Sequence, residues 1–256
     1  MYIDSHAHLY LDQFKEDIDE VISRALASNV QKIFLPNIDS STTESMYELS
    51  AKYPEICFPM MGLHPCSVKE NYKEELEHIL EVKKTRKIFG VGELGIDLYW
   101  DKTFKEEQIE AFRIQIKWAI EWNLPIIIHS RDALHLTIPI VEELQDGNLS
   151  GVFHCFTGTA EDAERIQGVG FYMGVGGVST FKNGGMDQTL PAIDIKHLIL
   201  ETDSPYLAPK PYRGKRNESS YIPIVAQRVA ELKDLTLEEV MEETTLNSQR
   251  LFASAF

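Results

Sequence analysis

His6 and His8 stand two residues apart at the end of a short apolar run. On a strand, that spacing sends both imidazoles to one face, where they can reach a single ion. Taken alone, the pair reads equally well as two hydrogen-bonded interior histidines. Further apolar runs, however, end at or near His64, Glu93, His129, His154 and Asp203. Imidazole and carboxylate without thiolate suit zinc, manganese, iron and, more weakly, magnesium. Six such ligands with one shared carboxylate are enough for two ions, and a two-ion site activates water and stabilises charge on a phosphoryl or carbonyl oxygen. The chemistry this implies is hydrolysis.

Residues so far apart in the chain need a scaffold that gathers them. Eight short apolar runs, at 2–8, 32–39, 57–64, 88–97, 125–131, 151–156, 171–178 and 197–203, alternate with polar stretches of helical spacing. Near-continuous apolar strands are what a parallel sheet covered on both faces requires. Phe14, Ile18, Val21, Ile22, Ala25 and Leu26 form one helical stripe, with Ser28 and Asn29 as stop residues. Ile109, Phe112, Ile116 and Ile120 form another. Thr103 with Glu106, and Thr236 with Glu239, have capping-box spacing ahead of helices. The pattern predicts an α/β fold, a (β/α)8 TIM barrel in which residues 1–256 form a single domain and function gathers at the C-terminal ends of the strands. A doubly wound sheet is the alternative, weakened in its nucleotide-binding form because no GxGxxG follows the first run.

The bulk properties narrow the class. The 256 residues carry a formal charge of −15 and are 43% hydrophobic, which fits a large packed core and excludes disordered, collagenous and disulfide-rich chains. So acidic a chain is not a general nucleic-acid coating protein, although a local basic patch or bound metal ions still permit a nuclease. Cys57, Cys66 and Cys155 are odd in number and lack CxxC spacing, so they read as reduced thiols. No basic and apolar leader opens the chain and no apolar run approaches a membrane span, so the expected location is the cytoplasm. No obligate protein partner is implied, and the expected state is a monomer.

The segments DSHAHL, GLHP, GELGID, HSRDA, HCFTG, ETDSPYLAP and NSQRLF occur in this order over residues 3–252. Together the chain resembles the TatD-like metal-dependent deoxyribonucleases of the amidohydrolase superfamily. The resemblance implies a distorted TIM barrel with two divalent ions, magnesium, manganese or zinc. His6, His8 and Asp203 would hold one ion, His129 and His154 the other, and Glu93 would bridge them, the role a carboxylated lysine often fills in the wider superfamily. Asp203 would be both ligand and base, orienting a water that attacks a phosphodiester phosphorus. His64 would sit on the substrate side, bonding a phosphate oxygen or protonating the leaving group; the competing reading is a histidine that caps its strand before Pro65. Arg131 either contacts phosphate or pairs with Asp132.

A basic stretch at 207–217 follows Asp203. It holds Lys210, Arg213, Lys215 and Arg216, with Tyr206 and Tyr212 interleaved. Such a stretch can capture a phosphate backbone and stack a base, or it can be a solvated loop. Tyr206, Arg213 and Lys215 are therefore expected at the substrate. Tyr99 and Trp100 stand on the loop after GELGID, to stack a base or to pack as a lid. His78 and His197 read as structural, and His135 as a site-facing option. Gly174, Gly176 and Gly177 read as positions of close backbone approach.

The expected activity is a metal-dependent deoxyribonuclease, an exonuclease on DNA single strands or frayed ends. The alternative keeps the metals but hydrolyses a carbonyl ester or amide, such as a lactone, a cyclic amide or an aminoacyl-tRNA. A catalytically silent binding barrel is a third possibility, disfavoured because the whole ligand set is present.

Overall fold

The computed structural model describes residues 1–256. In chain order the elements are β1 (Tyr2–Asp4), α1 (Ile18–Ala27), β2 (Val30–Pro36), α2 (Thr43–Lys52), β3 (Cys57–Met60), α3 (Tyr72–Thr85), β4 (Val91–Asp97), α4 (Lys105–Trp122) and β5 (Ile126–Arg131). They continue with α5 (Leu134–Leu144), β6 (Gly151–Phe153), α6 (Ala160–Gly168), β7 (Tyr172–Val175), α7 (Met186–Thr189), β8 (Leu198–Leu200), α8 (Ile222–Lys233) and α9 (Leu237–Leu251). Each apolar run coincides with one strand, except that β2 begins at Val30, two residues ahead of the run at 32–39, and all strand pairs are parallel.

The ladders run β1-β2-β3 and β4-β5-β6-β7-β8, and two isolated parallel bridges, Met61 with Val91 and Ala7 with Ser204, join these sheets. The fold is thus the expected TIM barrel, distorted at two seams. At the first seam a Cβ on Gly62 would lie 2.5 Å from the carbonyl carbon of Gly92, so the chain after β3 approaches β4 this closely only because Gly62 lacks a side chain, and a Cβ on Gly92 would in turn meet Ile127 of β5 at 2.7 Å. At the second, the buried Asp4 carboxylate accepts the Thr202 N–H at 3.0 Å and the Thr202 hydroxyl at 2.7 Å, tying β1 to the end of β8. Burial pushes the Asp4 carboxyl up to about 7.

Alternation along the strands sorts side chains into two layers. Ile3, Phe34, Phe58, Ile127, Val152 and Ile199 belong to a small inner cluster, whereas Ile33, Leu35, Ile126 and Ile128 join the large core beneath the helices. Phe252, just past α9, is fully buried in the inner cluster and stacks on Phe34 at 3.8 Å between centroids. An apolar floor therefore lies under the polar residues at the opposite strand ends.

Helix boundaries follow local chemistry, with two corrections. Ser28 caps α1 and Asn29 takes φ 62°, a left-handed conformation that asparagine tolerates. The Thr236–Glu239 capping box forms. The Thr103–Glu106 box does not: Thr103 N–H donates to Asp101 Oδ1 instead, and α4 starts at Lys105 without a side-chain cap. Leu26 departs from the α1 stripe and is partly exposed. The three cysteines are free, and burial raises each thiol above its ordinary value. No helix is long and apolar enough to cross a membrane.

The floor yields a stability prediction. Phe252→Ala should cost about 3–5 kcal/mol, the range for truncating a buried aromatic ring, read as a lowered urea midpoint at unchanged slope. A loss below about 1 kcal/mol would show that the floor closes without this ring.

Candidate metal centre

The strand ends place the predicted residues together. His6 and His8 follow β1, His64 follows β3, Glu93 lies in β4, His129 in β5, His154 just past β6 and Asp203 past β8. Glu93 is only 2% exposed and its two oxygens face different neighbours. Oε2 lies 3.3 Å from His6 Nε2 and 3.4 Å from His8 Nε2. Those two nitrogens are 3.1 Å apart, and Asp203 Oδ1 stands 3.7 and 3.6 Å from them. On the other side, Oε1 lies 2.8 Å from both His129 Nδ1 and His154 Nε2, which are 3.2 Å apart.

These separations test whether a metal fits. Bonds of zinc to nitrogen or oxygen of about 2.0–2.1 Å place tetrahedral ligands about 3.3–3.4 Å apart. Octahedral magnesium at similar bond lengths places neighbouring ligands about 2.8–3.0 Å apart. The donor atoms here have that spacing, and the chain's candidate ligand groups, His6–His8–Asp203, His6–Glu93–His154 and His64–Glu93–His129, all draw on this one cluster.

Hydrogen bonds decide which imidazole nitrogen is free. The Tyr10 hydroxyl donates to the Pro36 carbonyl, so it accepts from His8 Nδ1–H at 2.8 Å and makes Nε2 the nitrogen that faces Glu93, able to bind an ion once it gives up its proton. His129 Nε2–H donates to Asp97 Oδ2 at 3.0 Å, which leaves Nδ1 toward Glu93. His64 differs: its Nδ1 accepts the Cys66 N–H at 3.0 Å, so its proton sits on Nε2 and points toward Glu93 Oε1 at 3.5 Å. It thus combines both readings of the sequence, ordering the turn after Gly62-Leu63 while presenting a donor to the site.

Charge follows from this crowding. Burial opposes the ionised Glu93, yet the imidazoles of His154, His64 and His6 and the bond from His129 hold it well below the carboxylate range. Burial also opposes protonated His8, but bonds to Asp203 and Glu93 push it up to about 10. His154 and His129 are raised against burial by their carboxylate neighbours, while burial and the adjacent imidazoles lower His6. Asp203 is lowered, against burial, by the bond from His8.

A cavity of about 470 Å³ opens over this cluster, lined among others by His64, Trp100, Arg131 and Tyr206. An adjoining space of about 810 Å³ shares His129, Arg131, His154 and Asp203 with it and reaches His135. Arg131 forms no ion pair with Asp132; its guanidinium lies 3.8 Å from the Tyr99 ring centroid. Arg213 and Lys215 line neither cavity. Arg213 packs over Phe181 at 4.4 Å, and Arg216 is bound by Asp17 with bonds of 2.6 and 2.7 Å. Tyr212 stacks on Tyr221, away from the site. His78 bonds Thr43 and His197 bonds the Phe171 carbonyl.

Three contributors escaped the sequence reading: Tyr10, Asp97 and Glu201. Glu201 Oε1 accepts the Cys155 N–H at 2.5 Å and lies 3.6 Å from His154 Nδ1. Its side chain occupies the space a Cβ on Gly174 would fill, 2.1 Å from Oε2, and a Cβ on Gly177 would meet the Leu207 carbonyl at 2.0 Å. Asp97 closes GELGID and Glu201 opens ETDSP, so the criterion of a carboxylate at a strand end would have found both.

Comparison with known proteins agrees with this geometry. The family model described as TatD related DNase matches residues 3–253. A protein of Bacillus subtilis (strain 168) named uncharacterized metal-dependent hydrolase YabD is 42% identical, over 98% of this chain and 99% of its own. The 3'-5' ssDNA/RNA exonuclease TatD of Escherichia fergusonii is 30% identical over 99% of each chain. The crystal structure of YJJV, a TatD homologue from Escherichia coli K12, superposes with a TM-score of 0.90 at 27% identity, covering 98% of both chains.

The raised histidines give a pH prediction. Below their elevated values His8, His129 and His154 hold protons, and a divalent ion needs the neutral imidazole. Metal loading of the stripped protein at pH 7 should therefore release protons, and affinity should rise with pH. Titration calorimetry in two buffers of unequal ionisation enthalpy checks this; identical heats in both would contradict it.

Proposed function

Because this chain belongs to the TatD related DNase family and is a metal-dependent hydrolase, we propose that it is a two-ion exonuclease that cleaves phosphodiester bonds at single-stranded or frayed nucleic-acid ends. The observation that carries this reading is the division of Glu93, whose Oε2 faces His6 and His8 while Oε1 faces His129 and His154. His6, His8 and Asp203 would hold one ion, His129 and His154 the other, with Glu93 between them. Bound there, magnesium, manganese or zinc ions would make a hydroxide nucleophile accessible near neutral pH and neutralise charge on the phosphoryl oxygens.

The remaining work falls to side chains. Asp203 is ionised and borders the cavity, so it can accept a proton from the attacking water. The Nε2–H of His64 is the donor for a phosphate oxygen or for the departing alkoxide. Arg131, free of any carboxylate partner, supplies positive charge where both cavities meet. Tyr206 lines the same cavity, while Arg213 and Lys215 lie outside it and would touch only a longer strand. The related protein from Escherichia fergusonii, named for 3'-5' action on ssDNA and RNA, supports the same polarity and substrate.

Chelator-stripped protein incubated with end-labelled single-stranded DNA or RNA, with magnesium, manganese or zinc restored in turn, tests the reading. The expected result is a metal-restored ladder whose label position reports polarity. Glu93→Ala should keep the thermal transition but lose metal content and slow cleavage by more than the roughly 10–100-fold that partners outside a coordination sphere cost. Retained cleavage would refute the bridging role. Intact metal binding without cleavage of either polymer would transfer the assignment to an ester, lactone or aminoacyl-tRNA substrate.

A further inference from the structure

Half of the large hydrophobic side chains exposed on this protein, Tyr99, Trp100, Tyr206 and Leu207, border the two cavities over the metal centre. Trp100 is the most exposed of all, at 68%. An aromatic surface left in water beside a polar cleft marks a place where something binds. This rim is also held firmly. Asp97 Oδ1 accepts the N–H groups of Tyr99 and Trp100 at 2.9 and 3.1 Å, while its Oδ2 holds His129. Farther along the loop, Asp101 pairs with Lys69 at 3.1 Å. The aromatic pair is therefore fixed in register with the cluster below it. Tyr99 stands edge-on to Trp100 at 4.9 Å, and Arg131 lies against both rings, leaving the indole to the cavity.

We propose that this rim is a base-binding subsite, in which Trp100 stacks on the nucleobase at the strand terminus while Arg131 takes the adjoining phosphate. The inference rests on the nuclease reading and adds to it what holds the strand. Stacking on an indole needs only a π-face, so the subsite is indifferent to base identity. The occupant is a nucleotide rather than an aromatic peptide because the unpaired guanidinium of Arg131 and the imidazole N–H of His64 offer donors for a phosphate on the same cavity wall. Tyr206, on the facing loop beside His8, supplies a second aromatic surface.

Fluorescence anisotropy of a labelled dT hexamer, measured on the purified protein with chelator present so that nothing is cut, tests this directly. Trp100→Ala should weaken binding roughly 5- to 160-fold, the range for losing one base–aromatic contact; Trp100→Phe should restore most of it. A hexamer ending in an abasic residue should bind the native protein as weakly as the intact hexamer binds Trp100→Ala. Tryptophan emission should quench on binding in the native protein and not in Trp100→Ala, since Trp118 and Trp122 stack on each other elsewhere.

Equal affinity for intact and abasic hexamers, or an unchanged affinity of Trp100→Ala, would overturn the subsite, even where cleavage establishes the nuclease. Base-dependent binding without cleavage under any metal would sustain the subsite and sink the nuclease. A concentration-dependent sedimentation shift abolished by Trp100→Ala, with no effect on the hexamer, would give the rim to a second copy of the chain and overturn the proposal.

Discussion

A carboxylate withdrawn from water and surrounded by imidazoles is the arrangement everything else in this molecule serves. Glu93 remains ionised in the barrel interior because His6, His64, His129 and His154 crowd it. Such burial costs several kcal/mol per ion unless partners are already in place, and those partners come from β1, β3, β5 and β6, across the width of the fold. The barrel therefore has to be rigid where it carries no chemistry. The inner apolar cluster, closed by Phe252 against Phe34, packs beneath the charged layer, and the close approach of Gly62 to Gly92 lies beside Glu93 itself.

Orientation is settled one layer out. An imidazole can bind an ion through either nitrogen, and the hydrogen bond to its other nitrogen makes the choice. Tyr10 does this for His8 by spending its own proton on Pro36, Asp97 does it for His129, and the Cys66 amide does the reverse for His64. Asp97 goes further, because the same carboxylate holds the backbone of Tyr99 and Trp100. The imidazole–carboxylate cluster and the aromatic rim thus share one anchor.

The site also stores strain. Seven residues other than glycine have positive φ, and four of them, Asp132, Cys155, Asp203 and Leu207, line the cavities. The other three, Asn29, Asn123 and Asp234, follow helices and are of the types that tolerate this conformation. Cysteine and leucine do not tolerate it comfortably, at a cost of order 1–3 kcal/mol each. At Asp203 this backbone is held at both ends, its N–H donating to the His6 carbonyl at 2.9 Å and its carbonyl accepting the Tyr206 N–H at 2.8 Å.

What could be read from the chain alone were properties carried by local pattern: eight parallel strands, the alternating helices, and seven residues of ligand type at strand ends. Those follow from periodicity and from the rule that a barrel's strand ends converge. The sequence did not disclose that Thr103 would surrender its capping role to a turn built by Asp101, nor that Arg216 would be consumed by Asp17 and Arg213 by Phe181, because basic residues in a loop look alike until their neighbours are known. Nor did it reveal Tyr10, Asp97 and Glu201 as the residues beside the clustered histidines. The sequence determines which groups are present and which face of each strand they leave by, since both depend on neighbours a few residues away. Only the tertiary structure decided which nitrogen faces Glu93, which carboxylates hold the imidazoles and which cations remain free, because each of those depends on atoms that folding brings together from distant parts of the chain.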